Sequence, residues 1–177
     1  SVGQAIFGVD VRCFDENDTE VPRGERGEVV IRGTNVMKGY YKRPEATADA
    51  FRNGWFHSGD VGIMDEEGYL SIVDRKKDMI LRGGYNIYPR ELEEVIMTHP
   101  DVSLVAVLGV KDDRLGEEVK AFVVLNKGSE LTEETFIEWC KSQIAANKYP
   151  RHVEFRDSLP IGNTGKISKL LLREEAK

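Results

Sequence analysis

The stretch from Asp74 to Glu94 constrains this chain most. A strand-like run ends in five consecutive charged residues, Asp74-Arg75-Lys76-Lys77-Asp78. A short apolar run, Met79-Ile80-Leu81, follows, then a loop at Arg82-Gly83-Gly84 and a helix opened by Pro89. A charged joint, a flexible glycine loop and a helix N-terminus are crowded together. Exposed polar joints of this kind mark boundaries between packed bodies. The pattern therefore predicts two bodies, with the chemistry placed where they meet.

The segments on either side differ in kind. Before the joint, Val9–Phe14 alternates like a strand, and Gly27–Gly33 is a β-branched run bracketed by glycines. Arg43–Phe51, with Pro44 near its start, reads as a short helix. Trp55–Met64 and Tyr69–Val73 read as a strand pair joined by Asp65-Glu66-Glu67-Gly68, a bulged hairpin turn. After the joint, strands and helices alternate. Pro89–Thr98 is amphipathic, with Leu92, Val95 and Ile96 on one face. Val102–Val110 and Glu118–Leu125 are strands, and Thr132 caps a helix over Thr135–Ala146 whose stripe is Phe136, Ile137, Cys140 and Ile144. A short strand at Val153–Phe155, a glycine-containing loop at Leu159–Lys166 and a helix over Ser168–Glu175 complete the chain. The fold class expected is α+β: a β-rich part over residues 1–74, then a small mixed sheet covered by helices over residues 75–177.

With 177 residues there is room for one ordinary domain or two small ones. A net charge of −6, from 25 basic and 31 acidic residues, argues against a general nucleic-acid binder. Cys13 and Cys140 lie far apart with no metal spacing, which fits a reduced, cytoplasmic setting. No apolar run has the length of a membrane span. The chain opens Ser1-Val2-Gly3-Gln4 without an initiator methionine, as the middle of a longer protein does.

Four motifs stand out in order. They are Arg32-Gly33-Thr34-Asn35-Val36-Met37-Lys38-Gly39-Tyr40-Tyr41 with Pro44-Glu45-Ala46-Thr47, Gly54-Trp55-Phe56-His57-Ser58-Gly59-Asp60, the joint itself, and Leu159-Pro160-Ile161-Gly162-Asn163-Thr164-Gly165-Lys166-Ile167. Together they resemble the adenylate-forming superfamily, and within it the acyl-CoA synthetase branch. The resemblance covers essentially the whole chain. It implies that residues 1–74 are the β-rich end of a large adenylation domain and residues 75–177 a small mobile C-terminal domain.

The resemblance also assigns roles. A carboxylate after a glycine turn can accept hydrogen bonds from two vicinal hydroxyls, and Asp60 is matched to the residue that holds the nucleotide ribose. Read alone, Asp60 is equally a turn aspartate satisfied by its own backbone. Arg75 is matched to the arginine that contacts the ribose and phosphate. Lys77 is matched to the hinge about which the small domain turns. Gly83, Gly84 and Tyr85 are matched to the loop that lines the pantetheine tunnel of coenzyme A, where glycines let a backbone approach a ligand. Lys166 is matched to the lysine that stabilises charge as the acyl adenylate forms. Lys148 and Arg151 could meet coenzyme A phosphates, although a charge cluster at a helix end explains them as well. His57 is assigned no catalytic role, Lys76 reads as an exposed lysine, and no metal ligand is expected.

Two motifs of the superfamily do not occur here: the Ser/Thr/Gly-rich phosphate loop ending in lysine, and Tyr-Gly-x-Thr-Glu, whose glutamate holds magnesium. The resemblance therefore implies the C-terminal part of an ATP-dependent acid–CoA ligase. ATP and coenzyme A are its cosubstrates, and the Mg2+ ligands lie outside this chain. The expected partners are the N-terminal adenylation domain of the same protein and a small carboxylic acid. Two alternatives stay open: adenylation with transfer to a carrier protein or to oxygen, and a non-catalytic nucleotide- or partner-binding module.

Overall fold

The computed structural model describes residues 1–176. The chain forms two compact units that divide between Lys77 and Asp78.

The first unit is an antiparallel sheet. Strands β1 (Val9–Phe14), β2 (Arg26–Gly33), β3 (Phe51–Arg52) and β4 (Trp55–Met64) lie in the order β1-β2-β4-β3, and β5 (Leu70–Arg75) pairs with β4. A short helix, α1 (Pro44–Ala50), has proline in its first turn and runs directly into β3. Alternation along the strands separates two apolar clusters. Cys13, Val29, Met64 and Leu70 pack together, while Phe14, Val30 and Trp55 form a second group. The β4–β5 turn is the bulged hairpin its sequence suggests. Asp65 Oδ1 accepts hydrogen bonds from the Glu67 and Tyr69 amides, and Gly68 adopts a φ of +83°.

The second unit holds β6 (Ile80–Arg82), β7 (Tyr85–Ile87), α2 (Pro89–Ile96), β8 (Val102–Asp112), β9 (Gly116–Leu125), α3 (Glu133–Gln143), β10 (His152–Phe155) and α4 (Lys169–Glu175). β8 and β9 form a long antiparallel hairpin, and β10 returns parallel to β9 after α3. The sheet is therefore mixed. Both of its faces are covered, which is why Val102–Val110 is nearly continuous in apolar residues rather than alternating. Val105, Val107, Val119, Ala121 and Val123 pack with Leu92 and Ile96 of α2 and Phe136 and Cys140 of α3. Ala106, Leu108 and Phe122 pack instead with Leu159 and with Leu172 of α4.

Two local expectations are revised. The run Met79–Tyr88 is more than an apolar segment and a loop. β6 and β7 pair antiparallel, Ile80 with Ile87 and Arg82 with Tyr85, around a two-residue turn at Gly83-Gly84. Their φ values of +55° and +83° suit the tight hairpin turn that follows the twist of its strands. Helix α3 starts and stops earlier than its apolar stripe suggests. Thr132 and Thr135 cap it reciprocally, and Ile144 is already extended, tucking its side chain into the core just past the helix end. Among the described residues no helix is long and apolar enough to cross a membrane.

Phe136 anchors the second unit. It is fully buried and lies between the rings of His99, Trp139 and Phe155, at centroid distances of 5.9, 6.2 and 6.1 Å. Phe136→Ala should destabilise this unit by about 3–5 kcal/mol. Leu170→Ala, at a residue 65% exposed on α4, should stay within about 0.5 kcal/mol of the parent. Denaturant unfolding of the two variants tests the contrast.

Candidate functional site

In the first unit the functional residues gather where β4 outruns its neighbour. Glu28 faces Val61 across β2–β4 and Val30 faces His57, so Ser58, Gly59 and Asp60 stand opposite Val29 alone. The surplus loops out as a bulge. Gly59 takes a φ of +74°, and a Cβ there would touch nothing within 4 Å, so it is the backbone conformation that calls for glycine. Ser58 Oγ donates to the Val29 carbonyl at 2.7 Å and accepts from the Asp60 amide at 3.1 Å. The bulge turns the Asp60 carboxylate toward β5, where Arg75 faces it in register with Nε 3.3 Å from Asp60 Oδ1. The Arg75 side chain is 62% exposed, leaving most of its donors open to a ligand. Ser58, Gly59, Arg75, Lys76 and Lys77 line a recess of about 350 Å³. Thus Asp60, Arg75 and Lys77, singled out separately in the sequence, come together on this unit, with Lys77 in a single 3-10 turn, Lys76–Asp78.

Beneath the bulge lies a buried polar cluster. Glu28 Oε1 accepts from the Gly59 amide at 3.3 Å, and Oε2 accepts from Lys76 Nζ at 2.9 Å. His57 Nδ1 lies 3.1 Å from Glu28 Oε2 and 2.8 Å from Arg52 Nη2. One ring nitrogen can donate to the glutamate or accept from the arginine, not both. Arg52 also pairs with Asp18 at 3.3 Å. Burial alone pushes the Glu28 carboxyl up, but hydrogen bonds from Lys76 and His57 outweigh it and hold the group below the ordinary glutamate value. His57 is a packed histidine, 7% exposed. Glu28 and the pairing of Lys76 escaped sequence reasoning. The available signal was a glutamate sharing its strand face with Val30.

In the second unit the Gly83-Gly84 turn is fixed by a hydrogen bond from the Gly83 amide to the Leu115 carbonyl at 2.8 Å, and Tyr85 stands 58% exposed beside it. Arg82 turns inward from the same hairpin. Its Nε and Nη2 donate to Glu118 at 2.5 and 2.9 Å, and its Nη1 reaches the Asn147 carbonyl at 3.4 Å. Arg82 thereby ties the glycine turn to the segment carrying Lys148 and Arg151. Lys148 pairs with Glu91 at 3.4 Å. The Arg151 guanidinium lies 3.4 Å over the Tyr149 ring and donates to the Ala146 carbonyl at 2.8 Å, and its Nη1 is buried with no partner among the described residues. Burial and the neighbouring Arg82 charge pull its pKa down.

Lys166 sits on a separate loop. Ile161 and Ile167 bridge, and the Gly162 amide donates to the Lys166 carbonyl at 2.8 Å. The loop is anchored at its base by buried Leu159, while the Lys166 side chain is exposed. Neither cysteine is poised as a nucleophile: both are buried, and burial pushes the Cys140 thiol up to about 12. Among the described residues no group of three His, Cys, Asp or Glu side chains is placed to hold a metal ion.

Two family descriptions match this chain. The AMP-binding enzyme C-terminal domain matches residues 91–166, and the AMP-binding enzyme family matches residues 1–41. A long-chain-fatty-acid–CoA ligase of Escherichia coli O6:H1 is 49% identical over all 177 residues, which cover 31% of that protein. A feruloyl-CoA synthase of an Amycolatopsis species is 49% identical over 169 residues, 96% of this chain and 34% of the relative. Among solved structures, ATP-bound MatB from Rhodopseudomonas palustris matches with a TM-score of 0.93 at 42% identity, over 99% of this chain and 35% of its own. The amide bond synthetase McbA from Marinactinospora thermotolerans matches with 0.88 at 38% identity, over 100% of this chain and 36% of its own. The chain thus spans about a third of the length of the relatives it matches.

The Arg82–Glu118 pair is buried, at 13% and 7% side-chain exposure, so removing one partner strands a charge. Glu118→Ala should cost about 3–5 kcal/mol, whereas replacing both residues by apolar side chains of similar size should recover most of the loss. The pair also predicts acid lability. Burial raises the Glu118 carboxyl, but Arg82 and the Val119 amide outweigh it and hold it below 4.5, the ordinary value. Its contribution is therefore complete above that value and is lost as pH falls below it. Thermal unfolding at about pH 6 and pH 3.5 should show a drop that shrinks in Glu118→Gln.

Proposed function

The chain belongs to the AMP-binding enzymes, and on that premise we propose that it is the C-terminal part of a ligase that activates a carboxylic acid with ATP and passes the acyl group to coenzyme A. The observation that carries the reading is end-to-end similarity, at 49% identity, to a protein named for joining a fatty acid to coenzyme A. The Asp60–Arg75 pair beside the recess fits it. Asp60 keeps acceptor capacity for two vicinal ribose hydroxyls, and Arg75 offers donors to the ribose and α-phosphate. In the first half-reaction a carboxylate oxygen attacks the α-phosphorus and pyrophosphate leaves. Lys166, an exposed ammonium at the end of an anchored loop, stabilises the negative charge that gathers on the reacting oxygens. In the second, the thiol sulfur attacks the acyl carbon and AMP leaves.

One small domain serves both steps by turning about Lys77 and exchanging the Lys166 loop for the Gly83-Gly84 turn. The division of the chain directly after Lys77 supports that pivot. The exposed glycine turn, with Tyr85 beside it, supports a channel wall for the pantetheine arm. Lys148 and Arg151 are offered to the phosphates of coenzyme A, Lys148 the more readily because the Arg151 guanidinium is engaged by Tyr149 and Ala146. The Mg2+ and phosphate-loop contacts belong to the N-terminal part of the enzyme, and two buried free cysteines suit a reducing cytoplasm. The acyl group is left open, since relatives named for fatty and for aromatic acids match equally well. A second reading keeps the adenylation and changes the acceptor, favoured by the likeness to an amide bond synthetase.

In the full-length protein, Lys166→Ala should lower ATP–pyrophosphate exchange on the order of a hundredfold or more. Thioester formation from a supplied acyl adenylate should be largely spared. Equal loss of both half-reactions would refute the division of labour. The 177-residue chain alone should show no exchange, and robust exchange by it would refute the assignment of the phosphate contacts elsewhere.

A further inference from the structure

No side chain packs at the centre of the Ser58–Asp60 bulge. A Cβ added at Gly59 would meet nothing within 4 Å. The bulge is kept by directional bonds, and its central amide is bonded to a single group, Glu28 Oε1. The second oxygen of that carboxylate is bonded to Lys76, which lies between Arg75 and Lys77. Glu28 is 8% exposed and shares its strand face with the apolar Val30. A carboxylate there carries a desolvation cost that an apolar side chain would avoid, so fold stability gives little reason for it. Its two oxygens are instead directed at two segments that line one recess. Ser58 and Gly59 come from the bulge, and Arg75, Lys76 and Lys77 come from the strand end and the turn after it.

We propose that Glu28 is a positioning residue for both half-reactions, one oxygen fixing the bulge that presents Asp60 and the other fixing Lys76 at the approach to the pivot. This rests on the ligase reading above. Asp60 hydrogen-bonds both ribose hydroxyls well only if the bulge holds one conformation, and misplacement of such a group by about 1 Å can cost on the order of a hundredfold. Lys77 absorbs a torsion change cleanly only if the residue before it stays fixed to the sheet. A rotation shared between Lys76 and Lys77 would carry the small domain to a spread of end points. His57 and Arg52 brace the same carboxylate, with Arg52 Nη2 3.6 Å away, and limit the orientations it can adopt.

The test uses the full-length protein with Glu28→Gln and Lys76→Met. A glutamine is isosteric but replaces one carboxylate oxygen by an NH2 donor, so in either orientation the Gly59 amide or the Lys76 ammonium faces a donor instead of an acceptor. Glu28→Gln should raise KM for ATP on the order of tenfold and should also slow thioester formation from a supplied acyl adenylate. Lys76→Met cuts the pivot arm alone. It should slow the thioester step on the order of tenfold while moving KM for ATP far less than Glu28→Gln does. Glu28→Asp, which keeps the charge, should recover part of both losses. An unchanged KM for ATP in Glu28→Gln overturns the proposal. So does an equal fall of both half-reactions that merely follows the folded fraction seen by circular dichroism. If the unsubstituted protein shows no ATP–pyrophosphate exchange with fatty or aromatic acids, the ligase reading itself falls, an outcome distinct from an active parent with indifferent variants.

Discussion

Three residues of β4 stand opposite a single residue of β2, and the candidate site on the first unit follows from that mismatch. In a regular ladder, Asp60 would take its turn in the alternation of β4, and its facing would be dictated by the pleat. The bulge frees it from the pleat while keeping it in register with Arg75 on the other side. A bulge is a defect in pairing, so it needs its own bonds. Ser58 supplies two and Glu28 a third. The Gly-Trp-Phe-His-Ser-Gly-Asp motif thus divides its mechanical work among residues. Glycine makes the turn, serine the inner bonds, and aspartate faces Arg75.

The second unit solves a different problem. A sheet covered on both faces is stiff, because apolar side chains from β8 and β9 interlock with helices above and below. That stiffness lets two exposed elements be carried at fixed positions within one body: the Gly83-Gly84 hairpin tip and the Lys166 loop. Each is rooted in the core by a neighbour, Ile80 and Ile87 for the hairpin and Leu159 for the loop. If the small domain presents different groups in turn, neither element has to refold as it is exchanged. The torsional change is then confined to the joint, where Arg75 and Lys77 are exposed while Asp74 and Lys76 are held by the first unit.

Much of this was legible in the chain, for reasons that differ by element. β8 and β9 were readable because their apolar runs are rich in β-branched valine, and α2 because proline opens it and its apolar residues keep a helical period. The β6–β7 hairpin was hidden: three-residue strands carry too little periodicity, and Arg82 and Asn86 look like loop residues. The extent of α3 was misjudged because Ile144 belongs to the apolar stripe yet reaches the core from extended backbone. Among candidate site residues, those inside a recognisable motif, such as Asp60, Arg75 and Lys166, were singled out. Those that act through distant partners were not. Glu28 meets Lys76 across 48 positions, and Arg82 meets Glu118 across 36, so neither pairing leaves a local trace.

The two buried carboxylates also sort the basic residues of the chain into different roles. Lys76 lies in the same charged run as Arg75 and Lys77, and Arg82 follows it after three apolar residues. Glu28 takes Lys76 and Glu118 takes Arg82, each at 2.9 Å or less and each from a position shielded from water. A paired and partly desolvated cation is a poor ligand for a mobile phosphate, because its release costs more than the new contact returns. Pairing therefore leaves Lys76 and Arg82 poorly placed to bind an anion, and Arg151 is largely engaged by Tyr149. Arg75 beside Asp60, and Lys166 on its loop, by contrast stay exposed. The acidic partners, by their placement, decide which of many basic residues remain available for chemistry.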